Sequence, residues 1–375
     1  MQNLWLRKED KKDEKRVPVT PREVFDLVAS GVKVTVERSN YRCFADKDYA
    51  SAGAVLTDKS WQSAPLSAVV LGLKELNESG VPIAHTHIYF SHTFKGQEGA
   101  QLTLSRFFRG GGKIYDLEFL LDNTGKRVAA FGYWAGFVGA ALGVLGASHF
   151  AQANQDLGWQ DSFPPFPSLR AFADRAAMVN EVNIALENSP FARNCGSLRI
   201  MLMGALGRCG HGAKDFLDNL QFPMEISSWD LTEFNNADKP ITEILKNDVF
   251  INCVYLREKI TPMITHSLLA RNSRLSVISD VSCDPTSLNN PIPIYDSVTT
   301  LENPFVRVKG TTNFPVHVQA IDHLPTLLPR ESSEEYSALL FPYLKNFLVS
   351  DHPTATWRDA LTIFEKSLSD CMRTN

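Results

Sequence analysis

The stretch "RIMLMGALGRCGHG" (Arg199–Gly212) constrains this chain more than any other. An apolar run leads into Gly204, Gly207 and Gly210, and a helix-forming segment follows. A strand that enters a helix through a glycine loop is an α/β device. The glycines let backbone approach a pyrophosphate, and the helix N-terminus adds amide donors and positive potential. The spacing is GxxGxxG, not GxGxxG, and a plain strand–helix turn shares it. Asp230 sharpens the reading. It ends the next expected strand, "EISSWD", 20 residues after Gly210. A carboxylate there accepts from a ribose 2′-OH and repels a 2′-phosphate, which favours NAD over NADP. Arg208, inside the loop, is placed either to touch phosphate or to face solvent.

The rest of the chain alternates in the same way. "LWLR", "VKVTVE", "SAVVLGLK" and "IAHTHIYF" read as strands. "TPREVFDLVASG" reads as a helix with Thr20 as N-cap, Pro21 first and Gly31 as stop. "QEGAQLTLSRFFRGGG" is a helix ended by glycines, and "KIYDLEFLLDNTGKRVAAFG" a hairpin about Asn123–Gly125. A Gly/Ala-rich helix covers about Tyr133 to Phe150. The alternation restarts at "SLRIMLMGALGRCGHGAKDFLDNL" (from Ser197), and strands follow at "MEISSWD", "DVFINCVYL" and "SVISDVSCD", with a long helix from about Ser332. The expected fold class is α/β with mainly parallel sheets. The second domain, 133–325, is inserted into a discontinuous first domain, 1–132 plus 326–375.

Composition excludes some functions. With 42 acidic and 38 basic residues, the chain lacks the basic excess of a nucleic-acid binder. The mixed-sign run "RKEDKKDEKR" (Arg7–Arg16) reads as a solvated loop. Six cysteines without a CxxC suggest reduced cytoplasmic thiols, not a disulfide framework or zinc module. "WAGFVGAALGVLGA" (Trp134–Ala147) falls short of the ~20 residues of a membrane span, so no membrane association is expected. His85, His87 and His92 invite a metal reading. Their spacing matches no zinc signature and no further ligand stands nearby, so no metal is expected.

A set of ordered motifs adds a resemblance. They are "RVPVTP" (16–21), "GLKE" (72–75), "FSHTFK" (90–95), "YDLEF" (115–119), "RVAAFGYWAGFVGAALGV" (127–144), "GALGRCG" (204–210), "FINCVYL" (250–256), "DVSCDPTSLNNPIPIY" (280–295) and "IDHLPTLLPRE" (321–331). Through these the chain resembles the NAD-dependent, lysine-forming saccharopine dehydrogenases, and more distantly alanine dehydrogenase and transhydrogenase. The resemblance implies two Rossmann-like domains with an interdomain cleft, a monomer, and NAD as cofactor. It implies that saccharopine, NAD and water give L-lysine, 2-oxoglutarate and NADH. A related amino-acid dehydrogenase such as alanine dehydrogenase, or a non-catalytic NAD-binding regulator, are the alternatives.

That chemistry needs a base for the secondary amine and an acid–base group for imine hydrolysis, tasks suited to lysine and histidine. The resemblance assigns Lys74 and His92. His85 and His87 remain structural. Arg16 and Arg127 match carboxylate-binding positions, as a forked guanidinium suits. Glu75 and Glu118 match acidic tuning groups, and Asp322 a residue near the cofactor or the domain joint. Apart from the resemblance, Cys209 in the glycine loop and Cys253 after "DVFIN" should lie on neighbouring strands. They form a redox-sensitive candidate pair.

Overall fold

The computed structural model describes residues 2–11, 13–94, 99–157, 164–193, 196–256, 258–311, 314–350 and 354–373. Cys195 and Lys95 lie outside them. The chain forms two compact units, Met1–Ala130 with Pro329–Asn375, and Phe131–Leu328.

In the first unit the strands are β1 (Asn3–Leu6), β2 (Lys33–Glu37), β3 (Val55–Thr57), β4 (Ala68–Leu71), β5 (Thr86–Tyr89) and β6 (Lys113–Asp116). They pair in the order β3-β2-β1-β4-β5-β6, every pair parallel. All of β4 is buried, as its unbroken apolar, β-branched sequence requires of a strand covered on both faces. The C-terminal helix Ala355–Arg373 sends Phe364 against Phe107 and Phe94, closing one face near β6. The expected hairpin about Asn123–Gly125 forms, but its arms are shorter than the sequence suggested. The start of the expected first arm is instead the parallel strand β6, and Asp116 accepts from the Glu118 amide (2.8 Å) to turn the chain into a 3₁₀ turn before the hairpin begins. The antiparallel pairing runs from Leu120 to Val128: the Asp122 amide donates to the Lys126 carbonyl (2.8 Å) and the Val128 amide to the Leu120 carbonyl (2.9 Å), on either side of the Leu121–Arg127 bridge.

The charged run is a second correction. Arg7, Glu14 and Arg16 are buried, and the Glu9 side chain is only 6% exposed. The segment leaves the carboxyl end of β1 and neutralises itself in pairs: Arg7 with Glu9 (3.1 Å) and Arg16 with Glu14 (2.5 Å). Alternating sign at i, i+2 on extended chain places the partners on one side.

The second unit contains β7 (Leu198–Met203), β8 (Met224–Trp229), β9 (Val249–Asn252), β10 (Val277–Asp280), β11 (Val306–Arg307) and β12 (His317–Gln319). The order is β11-β12-β10-β9-β7-β8, parallel except for β11. Among the described residues β8 is an edge strand. The chain after it forms a short helix (Leu231–Asn236) and a 3₁₀ turn (Thr242–Lys246) where a further strand would stand. The Gly/Ala-rich helix is longer than expected, Gly132–Leu157. Its length and composition would suffice to cross a bilayer, but 83% of that window is buried inside the protein. It is the core helix of this unit, and Ser279 Oγ on β10 donates to its Gly139 carbonyl (2.8 Å).

Candidate active site

In the first unit the site candidates gather where β1, β4, β5 and β6 end. The carboxyl edge of a parallel sheet is where α/β proteins present ligand-binding groups. Lys74 does not end β4, as the sequence suggested, but lies three residues beyond it. The Leu73 and Lys74 amides donate to the Glu9 carboxylate (2.7 and 2.9 Å), and Arg7 donates to the Lys74 carbonyl. These buried charges draw the segment out of the ladder and hold it in one conformation. Glu75 is therefore not on a strand, and the expectation that it points away from Lys74 by alternation does not apply. It lies 3.7 Å from Lys11.

His92 sits in the adjacent loop, after β5. The Phe90 amide donates to the Leu73 carbonyl (2.9 Å), so the two loops run side by side. Asp116, at the end of β6, accepts from both the amide and the hydroxyl of Ser91 (3.1 and 2.6 Å), and Ser91 bonds Thr93 (2.6 Å). Burial lifts the Asp116 carboxyl above its ordinary range even with these donors around it. Between buried Ser91 and Thr93, His92 is exposed at φ 52°. A side chain with a Cβ rarely occupies that left-handed region, and such positions cluster at functional sites.

Arg16 is also not as expected. Its Nε and Nη2 both donate to buried Glu14 (2.8 and 2.5 Å), so it is half of an internal ion pair. Burial would raise the Glu14 carboxyl, but the charge and hydrogen bonds of Arg16, and then the charge of Lys74, outweigh burial and hold it low. Glu14 therefore joins Lys74 and Arg16 electrostatically. Tyr336, from the helix Pro329–Val349, packs on Phe90 (6.0 Å) and feels the charges of Asp116, Arg127 and Arg16. Arg127 is exposed and Glu118 half-buried. Sequence reasoning missed Glu9, Glu14, Asp116 and Tyr336. The i, i+2 opposite charges at 7/9 and 14/16 were the available signal.

His85 and His87 are structural. His85 Nε2 lies 3.0 Å from the Ala64 carbonyl. His87 is fully buried among Trp61, Phe107 and Tyr89, with ring centroids 4.6, 5.5 and 5.9 Å away.

In the second unit the glycine loop leaves β7. Gly204 has φ 82°, and a Cβ at Gly210 would stand 2.2 Å from the Gly204 carbonyl oxygen. Only glycine allows so tight a loop against its helix. Gly207 caps the helix Arg208–Asp218, and exposed Arg208 is its first residue. Asp230 follows β8 at once. One carboxylate oxygen accepts from the Leu206 amide in the glycine loop (2.8 Å), the other from Leu231 (2.9 Å), capping the next helix. The donor set suits a dinucleotide: a loop with glycine at its tightest points, a helix N-terminus, and a half-buried carboxylate at the neighbouring strand end.

Cys209 and Cys253 are free thiols in contact, with sulfurs 2.7 Å apart. β9 lies beside β7, which brings them together. Burial, and then the Cys209 contact, pushes Cys253 well above the ordinary thiol range. Asp322 is exposed, 2.5 Å from His323, and its charge reaches Cys283 beyond β10.

Two parallel α/β units, one carrying a glycine loop with an acidic strand end, define a dinucleotide-linked dehydrogenase fold. A profile of the family described as "Alanine dehydrogenase/PNT, N-terminal domain" matches residues 5–138. The fold resembles an L-alanine dehydrogenase structure at TM-score 0.64 and 16% identity, covering 98% of this chain and 99% of that one. A saccharopine dehydrogenase [NAD(+), L-lysine-forming] of Schizosaccharomyces pombe is 45% identical over 91% of this chain and 92% of its own length. The enzyme of the same name from Emericella nidulans is 41% identical over 99% and 98%. The chain belongs to the NAD-dependent, lysine-forming saccharopine dehydrogenase family.

Proposed function

We infer that this protein oxidises saccharopine with NAD and water to L-lysine, 2-oxoglutarate and NADH. The observation that carries the reading is the 45% identity, over nearly the full length, to a relative bearing that name. NAD supplies the hydride acceptor. Lys74 takes the proton of the substrate's secondary amine, which frees the lone pair as hydride leaves the adjacent carbon. His92 then moves protons for the water that attacks the resulting imine, and for the collapse to ketone and amine. The clamps by Glu9 and Asp116 support this reading, because a proton-transfer group must be held in place to act.

Arg127 is proposed to meet a substrate carboxylate. Arg16, paired with Glu14, sets the charge around Lys74 and is proposed to attract a substrate carboxylate to this edge. Glu75 and Glu118 tune the same edge. Gly204, Gly207, Arg208 and Gly210 hold the pyrophosphate, and Asp230 the ribose. Asp322 lies near the dinucleotide in this reading. On the family resemblance, the protein works as a cytoplasmic monomer.

NADH formation with saccharopine, beside alanine and glutamate, is the decisive assay. Turnover of saccharopine alone is expected, and reduction of NAD by alanine in its place would overturn the reading. We further propose that the Cys209–Cys253 pair makes the dinucleotide loop sensitive to oxidation. A mild oxidant should inactivate wild type more slowly with NAD bound, and Cys209→Ser should resist. Equal inactivation of both proteins would remove the pair from the account.

A further inference from the structure

Behind the glycine loop lies a buried polar group that the proposed mechanism does not use. β7, β9 and β10 end in register: Asn252 stands opposite Met203 on one side and Asp280 on the other. Asn252 and Asp280 are each 1% exposed. Asn252 Nδ2 donates to Asp280 Oδ1 (2.8 Å), and the Tyr295 hydroxyl donates to Asp280 Oδ2 (2.7 Å). Asn252 Oδ1 in turn accepts from the Val254 amide (3.2 Å). The Asn252 amide is thereby oriented from both ends. It fixes residues 253 and 254, and these form the back wall of the dinucleotide turn. The Cys253 amide donates to the Met203 carbonyl (2.9 Å), and a Cβ on Gly204 would lie 3.0 Å from the Cys253 carbonyl group.

We propose that Asp280 is a positioning residue for dinucleotide binding: through Asn252 and Tyr295 it sets the 253–254 segment against which the Gly204 turn rests. The inference deepens the NAD reading of this unit and rests on it. A carboxylate is suited to this place because both of its neighbours donate. Asparagine there would turn an N–H toward one of those donors: Asn252 could not accept it through its own N–H, and Tyr295 could accept only by reversing its hydroxyl, which replaces a charge-assisted bond with a weaker neutral one. Tyr295 lies midway along the loop between β10 and β11, so one carboxylate ties that loop to the end of β9.

Acid sensitivity follows from the same geometry. Burial raises Asp280 to about 6, against the hydrogen bonds from Asn252 and Tyr295. The titratable groups that face it are Cys253, Cys283 and Tyr295. Burial pushes all three upward, so none of them titrates near that pH. Once protonated, Asp280 cannot accept from both donors.

The test is direct NADH binding to the full-length protein, read by fluorescence and set beside the kinetic constants. Asp280→Asn should weaken NADH and raise the KM for NAD by roughly tenfold, with the saccharopine KM and the kcat at saturating NAD within about threefold. Tyr295→Phe, which keeps the ring and removes one donor, should move the same constants in the same direction by less. Wild-type NADH affinity should fall as pH drops below about 6, and Asp280→Asn should lose that dependence. If Asp280→Asn does not fold, Tyr295→Phe and the wild-type pH profile decide the matter. Unchanged NADH affinity in folded variants, or a lower melting temperature with the same affinity, overturns the positioning role and leaves the NAD reading standing. A wild type that binds no NADH overturns both.

Discussion

Lys74 shows what a single residue can and cannot reveal. Its lysine type fits a base, but most lysines are simply exposed. Its environment gives it a distinct place: a backbone pinned by Arg7 and Glu9, and a side chain whose charge acts on buried Glu14. Lys74→Met is expected to lower turnover ~10²–10⁴-fold, the range of a positioned acid or base, with NADH affinity unchanged because the dinucleotide groups lie in the other unit. Near-normal turnover would take the base role away from it. Asp230 carries the second residue-scale prediction. It caps a helix and also holds the glycine loop, so Asp230→Ala would confuse stability with specificity. Asp230→Ser keeps a good N-cap and drops the charge. It should narrow the preference for NAD over NADP by at least about tenfold with little change in melting temperature. A wild type that uses both cofactors equally well would refute the assignment. Gly204 and Gly210 were legible because backbone geometry dictates glycine there, and the position of Asp230 at a strand end was legible from the run before it. Glu14 and Asp116 were not, because a carboxylate's burial depends on which loops the sheet order brings beside it.

At the scale of elements, apolar runs located β4, β7 and β9 and where they begin, since a strand buried on both faces has little freedom in its sequence, but β4 and β9 end three and four residues earlier than expected. The reading failed where polar groups decide the path. Asp116 ends β6 in a turn and so shortens the expected hairpin, and Arg7, Glu9, Glu14 and Arg16 turn inward because their charges pair, while Lys8, Asp10, Lys11 and Asp13 stay exposed. The long Gly/Ala helix was underestimated in length, but its small residues were a sound guide to close packing. Gly212 makes that packing testable. A Cβ there would meet the Tyr133 carbonyl oxygen at 1.8 Å, and a backbone atom of the neighbouring helix cannot yield as a side chain can. Gly212→Ala should therefore destabilise the second unit by ~1–3 kcal/mol or more, and weaken NADH through the helix that carries the glycine loop. An unchanged melting temperature would mean that the two helices do not approach as closely as this.

Across the whole molecule, acid acts on the two units through groups of opposite sign. Glu9, Glu37, Asp116 and Asp280 are raised by burial, so protonation favours their folded states. His87 in the first unit and His317 in the second are lowered by burial, His317 to about 3, so protonation favours unfolding. The net pH profile of wild type is therefore not diagnostic, but a difference between two proteins is. Among the described residues neither ring nitrogen of His87 has a hydrogen-bond partner, and aromatic rings surround it. Its folded pKa lies far below 6.5. Above pH 6.5 the ring is neutral in both states and contributes no pH dependence. Below it the unfolded chain takes up a proton that the folded chain refuses, so wild type should lose ~1.4 kcal/mol per pH unit from this group. His87→Leu, close in volume and without polar atoms to satisfy, should be at least as stable as wild type at pH 7. Its advantage should widen by that amount per unit as pH falls from 6 to 4, measured by urea unfolding of both proteins. Parallel stability curves over that interval would show that His87 finds a way to carry its proton inside the fold.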